Sequence, residues 1–267
     1  MKIFHCSHCQ HLVFFENSQC VHCGRQLAYS PAQRAMLAVG EDAHDPDSES
    51  PEAGVRLCQN YVDHAICNWA VDEGDPDPLC ISCRLTKVIP PLDRADVVAL
   101  WQRAEAAKRR LIVNLLALGL PVEDSTPGAG DGLRFEFKEP QPGESVLTGH
   151  QEGTITLNVR EADDVLREQI RAQFAELYRT VLGHLRHESG HYYWDRLIRD
   201  GGRLDEFRAV FGDESIDYQN ALNHHYQNGP VEDWTTEFIS AYASVHPWED
   251  WAETWAHYLH MADTLET

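Results

Sequence analysis

From about Ala162 to the end of the chain, apolar residues recur every three or four positions, the spacing of helices that bury one face. The run breaks near Gly201, Gly212 and Gly229, so it predicts several helices rather than one. A further helix is predicted after Pro90, in PPLDRADVVALWQRAEAAKRRLIVNLLALGL, with Asp93 placed to cap it. LRFEFKE and GTITLNV alternate apolar and polar residues and predict strands, and LPVEDSTPGAGDG reads as loop. Residues 31–55 (PAQRAMLAVGEDAHDPDSESPEAGV) are acidic and rich in Ala, Pro and Ser, the composition of a linker.

The remaining N-terminal segments are organised by cysteine. Cys6, Cys9, Cys20 and Cys23 form two C-x-x-C knuckles ten residues apart. Four thiolates at that spacing suit a closed tetrahedral zinc, which supplies folding energy to a segment too short to own a core. Cys80 and Cys83 form another knuckle, and Cys58 and Cys67 stand before it at wider spacing. They predict a second structural zinc, with His64 an alternative donor, or else a set of buried thiols. All eight cysteines lie in the first third of the chain. No apolar leader opens the sequence, so zinc thiolates in a reducing cytoplasm are expected rather than disulfides.

Hydrophobic residues make up 43% of 267, enough for a core, and no apolar run is long enough for a membrane span. The formal net charge of −21 disfavours nucleic acid and anionic membranes as partners, although many zinc ribbons bind nucleic acid.

Within the helical half lies GHLRHESGHYYWDRL, where His187-Glu188-Ser189-Gly190-His191 reads HExxH. Residues four apart share a helix face, so His187 and His191 can hold one zinc while Glu188 reaches a water beside it. Gly183 and Gly190 form a strip along which another backbone or a ligand can come close. Phe174, Leu177, Tyr178, Val181, Leu182 and Leu185 supply an apolar face. Two buried histidines with ordinary hydrogen bonds are the competing reading. A catalytic zinc needs a third protein ligand. Leu197 excludes a third histidine six residues on, and HPWEDWAETWAHYLH offers a carboxylate instead. Pro247 starts a helix on which Glu249 and Glu253 share a face. Glu249 suits the metal, and Glu253 suits the other nitrogen of a liganding histidine. A solvated acidic helix start is the alternative, disfavoured by the flanking Trp248, Trp251, Trp255 and Tyr258. Tyr242 could donate to an oxyanion or simply pack.

HExxH with a downstream glutamate resembles the gluzincin arrangement of zinc metallopeptidases. YASVHPWEDWAE is similar to the tyrosine, seven-residue step and E-x-x-x-E of anthrax-lethal-factor-like peptidases. More closely, the two histidine and glutamate segments, behind a zinc ribbon and CNWAVDEGDPDPLCISCRL, resemble bacterial zinc-binding metallopeptidases that carry an N-terminal zinc ribbon. That resemblance spans most of the chain outside the acidic segment. It implies that His187, His191 and Glu249 bind metal and that Glu188 is the general base. Tyr242 as oxyanion donor comes from the more distant lethal-factor comparison. Relatives are expected to continue beyond the ligand helix.

The expected fold is α+β, with N-terminal zinc-ribbon modules followed by a mainly helical zincin-like domain with a small sheet. The expected divisions are a ribbon at 1–30, a linker at 31–55, a second four-cysteine module at 56–90 and the metallopeptidase domain at 91–267. The expected function is hydrolysis of peptide or isopeptide bonds by a zinc-activated water, with one catalytic and two structural zinc ions and a peptide or protein substrate. The strand GTITLNV is expected to offer an edge for an extended peptide. The alternative is a zinc-ribbon adaptor whose HExxH site is structural or inactive.

Overall fold

Two short hairpins and two knuckles build the N-terminal region. In the computed structural model, which describes residues 3–39, 54–122, 132–141, 143–173 and 179–266, β1 (Ile3–His5) pairs antiparallel with β2 (Leu12–Phe14), and β3 (Gln26–Ser30) with β4 (Ala35–Val39). β4 corrects the expected linker. Met36, Leu37 and Ala38 are buried, and the ladder with β3 takes up their backbone groups. The acidic stretch that suggested a linker begins after them, and residues 40–53 lie outside the described residues.

The second cysteine module holds β5 (Val55–Leu57), α1 (Gln59–His64), β6 (Ala70–Asp72) and α2 (Ile81–Arg84). It shares a core with the first. Phe15, Tyr29 and Trp69 interlock, with ring centroids 5.1 Å apart for Phe15–Tyr29 and 5.2 Å for Tyr29–Trp69. Aromatic contacts of this kind tie the two modules side by side rather than as beads on a string.

β7 (Thr86–Val88) leads into α3 (Ala95–Ala117). The cap of α3 is Arg94, in extended conformation, and not Asp93; its side chain makes no capping hydrogen bond. Val97, Trp101, Ala104, Leu111, Ile112 and Leu115 line its buried face at helical spacing. That face covers a sheet of β7, β8 (Arg134–Lys138), β10 (Thr154–Asn158) and β9 (Gly149–Gln151), in that order. β10 pairs parallel with β8 and antiparallel with β9. The strand GTITLNV therefore has both edges taken and cannot receive a peptide. β9 is the edge strand on that side. Beneath the sheet, Lys108 and Glu105, both fully buried, pair at 2.8 Å, and both reach the hydroxyl of Thr86.

The rest is helical. α4 (Asp164–Gln173) is followed by α5 (Val181–Trp194), which Thr180 caps by accepting from the Gly183 amide. Of the apolar face expected before the motif, Phe174, Leu177 and Tyr178 lie outside the described residues. A π-turn at Asp195–Arg199 ends α5, and α6 (Leu204–Phe211) and α7 (Tyr218–Asn228) follow. Gly212 and Gly229 close these two helices with φ of 95° and 82°, conformations that favour glycine. α8 (Pro247–Leu265) begins at Pro247 behind His246, whose Nδ1 accepts from the Trp248 amide. The buried Arg186 of α5 donates to Asn114 on α3 and to Asp263 on α8, fixing three helices together. The architecture is α+β, a zinc-ribbon region followed by a mainly helical domain with a small sheet. No helix among the described residues is long and apolar enough to cross a membrane.

Candidate metal centre

α5 and α8 cross at Gly190. A Cβ there would stand 3.0 Å from Ala252 Cα and 3.2 Å from the Trp255 ring, so only glycine permits this approach without displacement. Trp251 Nε1 donates to Gly190 O at 2.9 Å and Trp255 Nε1 to Ser189 Oγ at 3.1 Å, which fixes the register of the two helices. Register is what matters for chemistry. It sets Glu249, on the first turn of α8, against the imidazoles of α5.

His187 Nε2 lies 3.0 Å from Glu249 Oε2, His191 Nε2 lies 3.5 Å from the same oxygen, and the two nitrogens are 3.2 Å apart. Donors about 2.0–2.1 Å from a tetrahedral zinc stand about 3.3–3.4 Å apart, so the three atoms have the separations that the ion requires. Glu249 Oε2 and His191 Nδ1 are buried and make no hydrogen bond among the described residues. Buried polar atoms left in this state are costly, and a cation on the Glu249 oxygen removes one such cost. The residues fit a zinc ion.

The surroundings hold this cluster in shape. Glu253 Oε1 sits 2.7 Å from His187 Nδ1, and Ser240 Oγ donates to Glu253 Oε2 at 2.7 Å. Burial would lower the pKa of His187, but Glu249 and Glu253, one on each nitrogen, outweigh it and raise that pKa well above the ordinary range. For Glu249, burial acts upward and the two histidines act downward. The histidines prevail, and the carboxyl lies below its usual range. Trp248 covers His191 with ring centroids 4.0 Å apart. Glu188, 8% exposed, occupies the next position round α5, close enough for its charge to act on both His187 and Tyr218. Tyr242 stands with its ring 6.0 Å from that of His187. Of the aromatic residues expected to bury α8, Tyr258 is half exposed.

Sequence reasoning missed Tyr218. Its hydroxyl donates to Glu249 Oε1 at 2.7 Å, and its ring packs on His246 and Trp248. Burial, then the Glu249 charge, raises its pKa above the ordinary phenol range, so it remains a donor. It lies 31 residues before Glu249. The only local sign was Asp217, which caps α7 through the Asn220 amide and so fixes where that helix begins.

The cysteines form two separate clusters. Sγ separations are 3.8 Å for Cys6–Cys23, 3.6 Å for Cys9–Cys20 and 3.7 Å for Cys67–Cys80. Thiolates about 2.3 Å from a tetrahedral zinc are about 3.8 Å apart, whereas a disulfide needs about 2.05 Å. Cys58, Cys67, Cys80 and Cys83 form the second set without His64, whose ring packs on Trp101. Burial pushes the Cys80 thiol well up, so these sulfurs need a cation if they are to ionise together.

Residues 97–267 match the family described as "Putative zinc-binding metallo-peptidase", and residues 3–94 match a zinc-ribbon domain. The chain belongs to this metallo-peptidase family. It is 45% identical over 268 residues to uncharacterized proteins of Mycobacterium tuberculosis and Mycobacterium bovis, in an alignment that covers all of this chain and 75% of theirs. No solved structure matches it. Family membership and the three donor clusters agree on zinc as the metal, and a metallo-peptidase implies a peptide or protein substrate.

Proposed function

We propose that the chain is a zinc-dependent peptidase with its active centre between α5 and α8. His187, His191 and Glu249 hold the catalytic zinc, and the observation that carries this is the convergence of their three donor atoms within 3.0–3.5 Å. Zinc at this position supplies a Lewis acid that polarises a carbonyl and makes a water acidic near neutral pH. Glu188 takes the proton of the attacking water and returns it to the leaving amine. Glu253 fixes the tautomer and angle of His187. Tyr218 holds the second oxygen of Glu249. Tyr242 offers its hydroxyl to the carbonyl oxygen as charge builds there, and burial keeps that phenol protonated.

Among the described residues β9 pairs with β10 alone, and its outer edge replaces GTITLNV as the strand on which an extended substrate can lie. The two cysteine sets hold one structural zinc each, giving three ions per chain. Residues 91–267 form the unit that carries the chemistry, and the cysteine modules before it anchor that unit or recognise substrate. Eight cysteines with no disulfide among the described residues support a reducing compartment, the cytoplasm. The acid excess argues against nucleic acid as a partner.

The test is digestion of a peptide library read by mass spectrometry, with elemental analysis of the same samples. Wild type should cleave and hold about three zinc ions, two of them on cysteine. Glu188→Gln should hold the same zinc and lose nearly all cleavage. Cleavage that survives in Glu188→Gln sinks the mechanism. A count of two zinc ions, unchanged in His187→Ala, leaves the zinc-ribbon adaptor as the better reading.

A further inference from the structure

Tyr242 opens a short helical turn (Tyr242–Val245), and its ring meets two imidazoles. One is His187, with ring centroids 6.0 Å apart. The other is His225 of α7, also at 6.0 Å, with 89° between the ring planes. His225 is partly buried, and its ring makes no hydrogen bond among the described residues. Its other ring contact is the neighbouring Tyr226, which is 65% exposed. Burial, the largest cause, lowers the pKa of His225, so at neutral pH it meets Tyr242 as a neutral ring. An edge-to-face contact of this kind fixes the direction of both rings.

His225 lies two turns after Tyr218. Residues seven apart on a helix differ by about 20° in direction and stand about 10.5 Å apart along the axis, so the two side chains share one face of α7. Tyr218 uses that face to donate to Glu249 Oε1 at 2.7 Å, and His225 uses it to meet Tyr242. The chain entering α7 is pinned to the start of α8 by His246. Its Nδ1 accepts from the Trp248 amide, so Nε2 carries the hydrogen and donates to Ile216 O at 3.1 Å. α7 buries none of its residues fully. It lies as a brace, with Glu249 held at one end and Tyr242 at the other.

We propose that His225 is a positioning residue for Tyr242: its ring holds the phenol so that the hydroxyl faces the metal centre, and α7 thereby ties the placement of Tyr242 to that of Glu249. This rests on reading the centre as that of a peptidase with Tyr242 as oxyanion donor. A phenol that swings aside cannot donate where charge builds, so the loss falls on the chemical step and leaves zinc and substrate affinity alone.

The test is a double-mutant cycle on one cleaved peptide, with zinc content measured throughout. His225→Ala should lower kcat about three- to tenfold, the worth of one aromatic contact, with KM and zinc unchanged. His225→Phe keeps a ring against Tyr242 and should restore most of that loss. In Tyr242→Phe, where no hydroxyl remains to be placed, His225→Ala should cost nothing further. An equal loss in both backgrounds, a loss carried by KM, no rescue by phenylalanine, or full turnover in Tyr242→Phe overturns the proposal. A second readout needs no turnover. Fluorotyrosine in place of Tyr242 alone reports that ring by fluorine NMR. Its resonance should shift in His225→Ala and largely return in His225→Phe, and a resonance indifferent to His225 counts against the clamp. The two readings fail separately. A resonance that depends on His225, with no peptide cleaved, keeps the clamp and removes the peptidase. Cleavage with kcat and resonance both indifferent to His225 does the reverse.

Discussion

Glu253 grips His187 from the side opposite the metal cluster, with Oε1 2.7 Å from Nδ1. The same imidazole meets Glu249 through Nε2 at 3.0 Å. One histidine thus separates two carboxylates a helical turn apart, and they do different work. Glu249→Ala removes a donor to the ion and should empty the centre at low free zinc. Glu253→Ala leaves three donors and should weaken zinc by about 10–100-fold. Competition with a chelator ranks the two. The opposite order would make Glu253 the ligand.

The two tyrosines are separable in the same way. Tyr218 bonds the carboxylate of Glu249, so Tyr218→Phe should weaken zinc by about tenfold, the value of a hydrogen bond to a charged group. Tyr242→Phe should leave zinc affinity alone and lower turnover on the order of 100-fold. Zinc titration beside kcat on one good peptide measures both. If Tyr218→Phe loses turnover at full zinc occupancy while Tyr242→Phe keeps it, their roles are exchanged.

Gly190→Ala adds one methyl where the backbones of α5 and α8 meet. The helices must part by a few tenths of an ångström, and the expected loss of stability is about 1–3 kcal/mol. Because α8 carries Glu249, zinc affinity should fall with it. Urea unfolding and chelator competition on one sample test this, and a variant unchanged in both would mean that the crossing is looser than described.

Acid should weaken the fold through His150. Burial, the largest cause, lowers its pKa to about 4 from the ordinary 6.5. Between those values the unfolded chain binds a proton that the folded chain refuses, so stability falls as pH drops through 6.5 and levels off below about 4. By pH 5.5 the loss should be on the order of 1 kcal/mol. His150→Gln keeps an acceptor for the Gly153 amide and removes the titration. Urea unfolding of both proteins from pH 7.5 to 5.5 should give a steeper decline for wild type, and parallel profiles would count against a buried neutral His150.

Short-range spacing was enough for much of this protein. Two C-x-x-C knuckles bring four thiols together because each pair needs only one tight turn, and HExxH sets two imidazoles on one face because the helix repeat does so locally. Pro247 and the 3.6-residue period likewise put Glu249 and Glu253 in line on α8. Other features depend on contacts between segments far apart in the chain, for which no local pattern exists. Residues 35–39 look like the start of a linker until β3 takes up their backbone bonds. GTITLNV reads as an edge strand, yet β8 and β9 occupy both its sides. Tyr218 reaches Glu249 only because α7 folds back over the start of α8. The sequence by itself determined which donors could share a metal. The packing of α8 onto α5 at Gly190 decided that they meet, since a separation of 3.0 Å across 62 residues is a property of two helices in contact and not of either one alone.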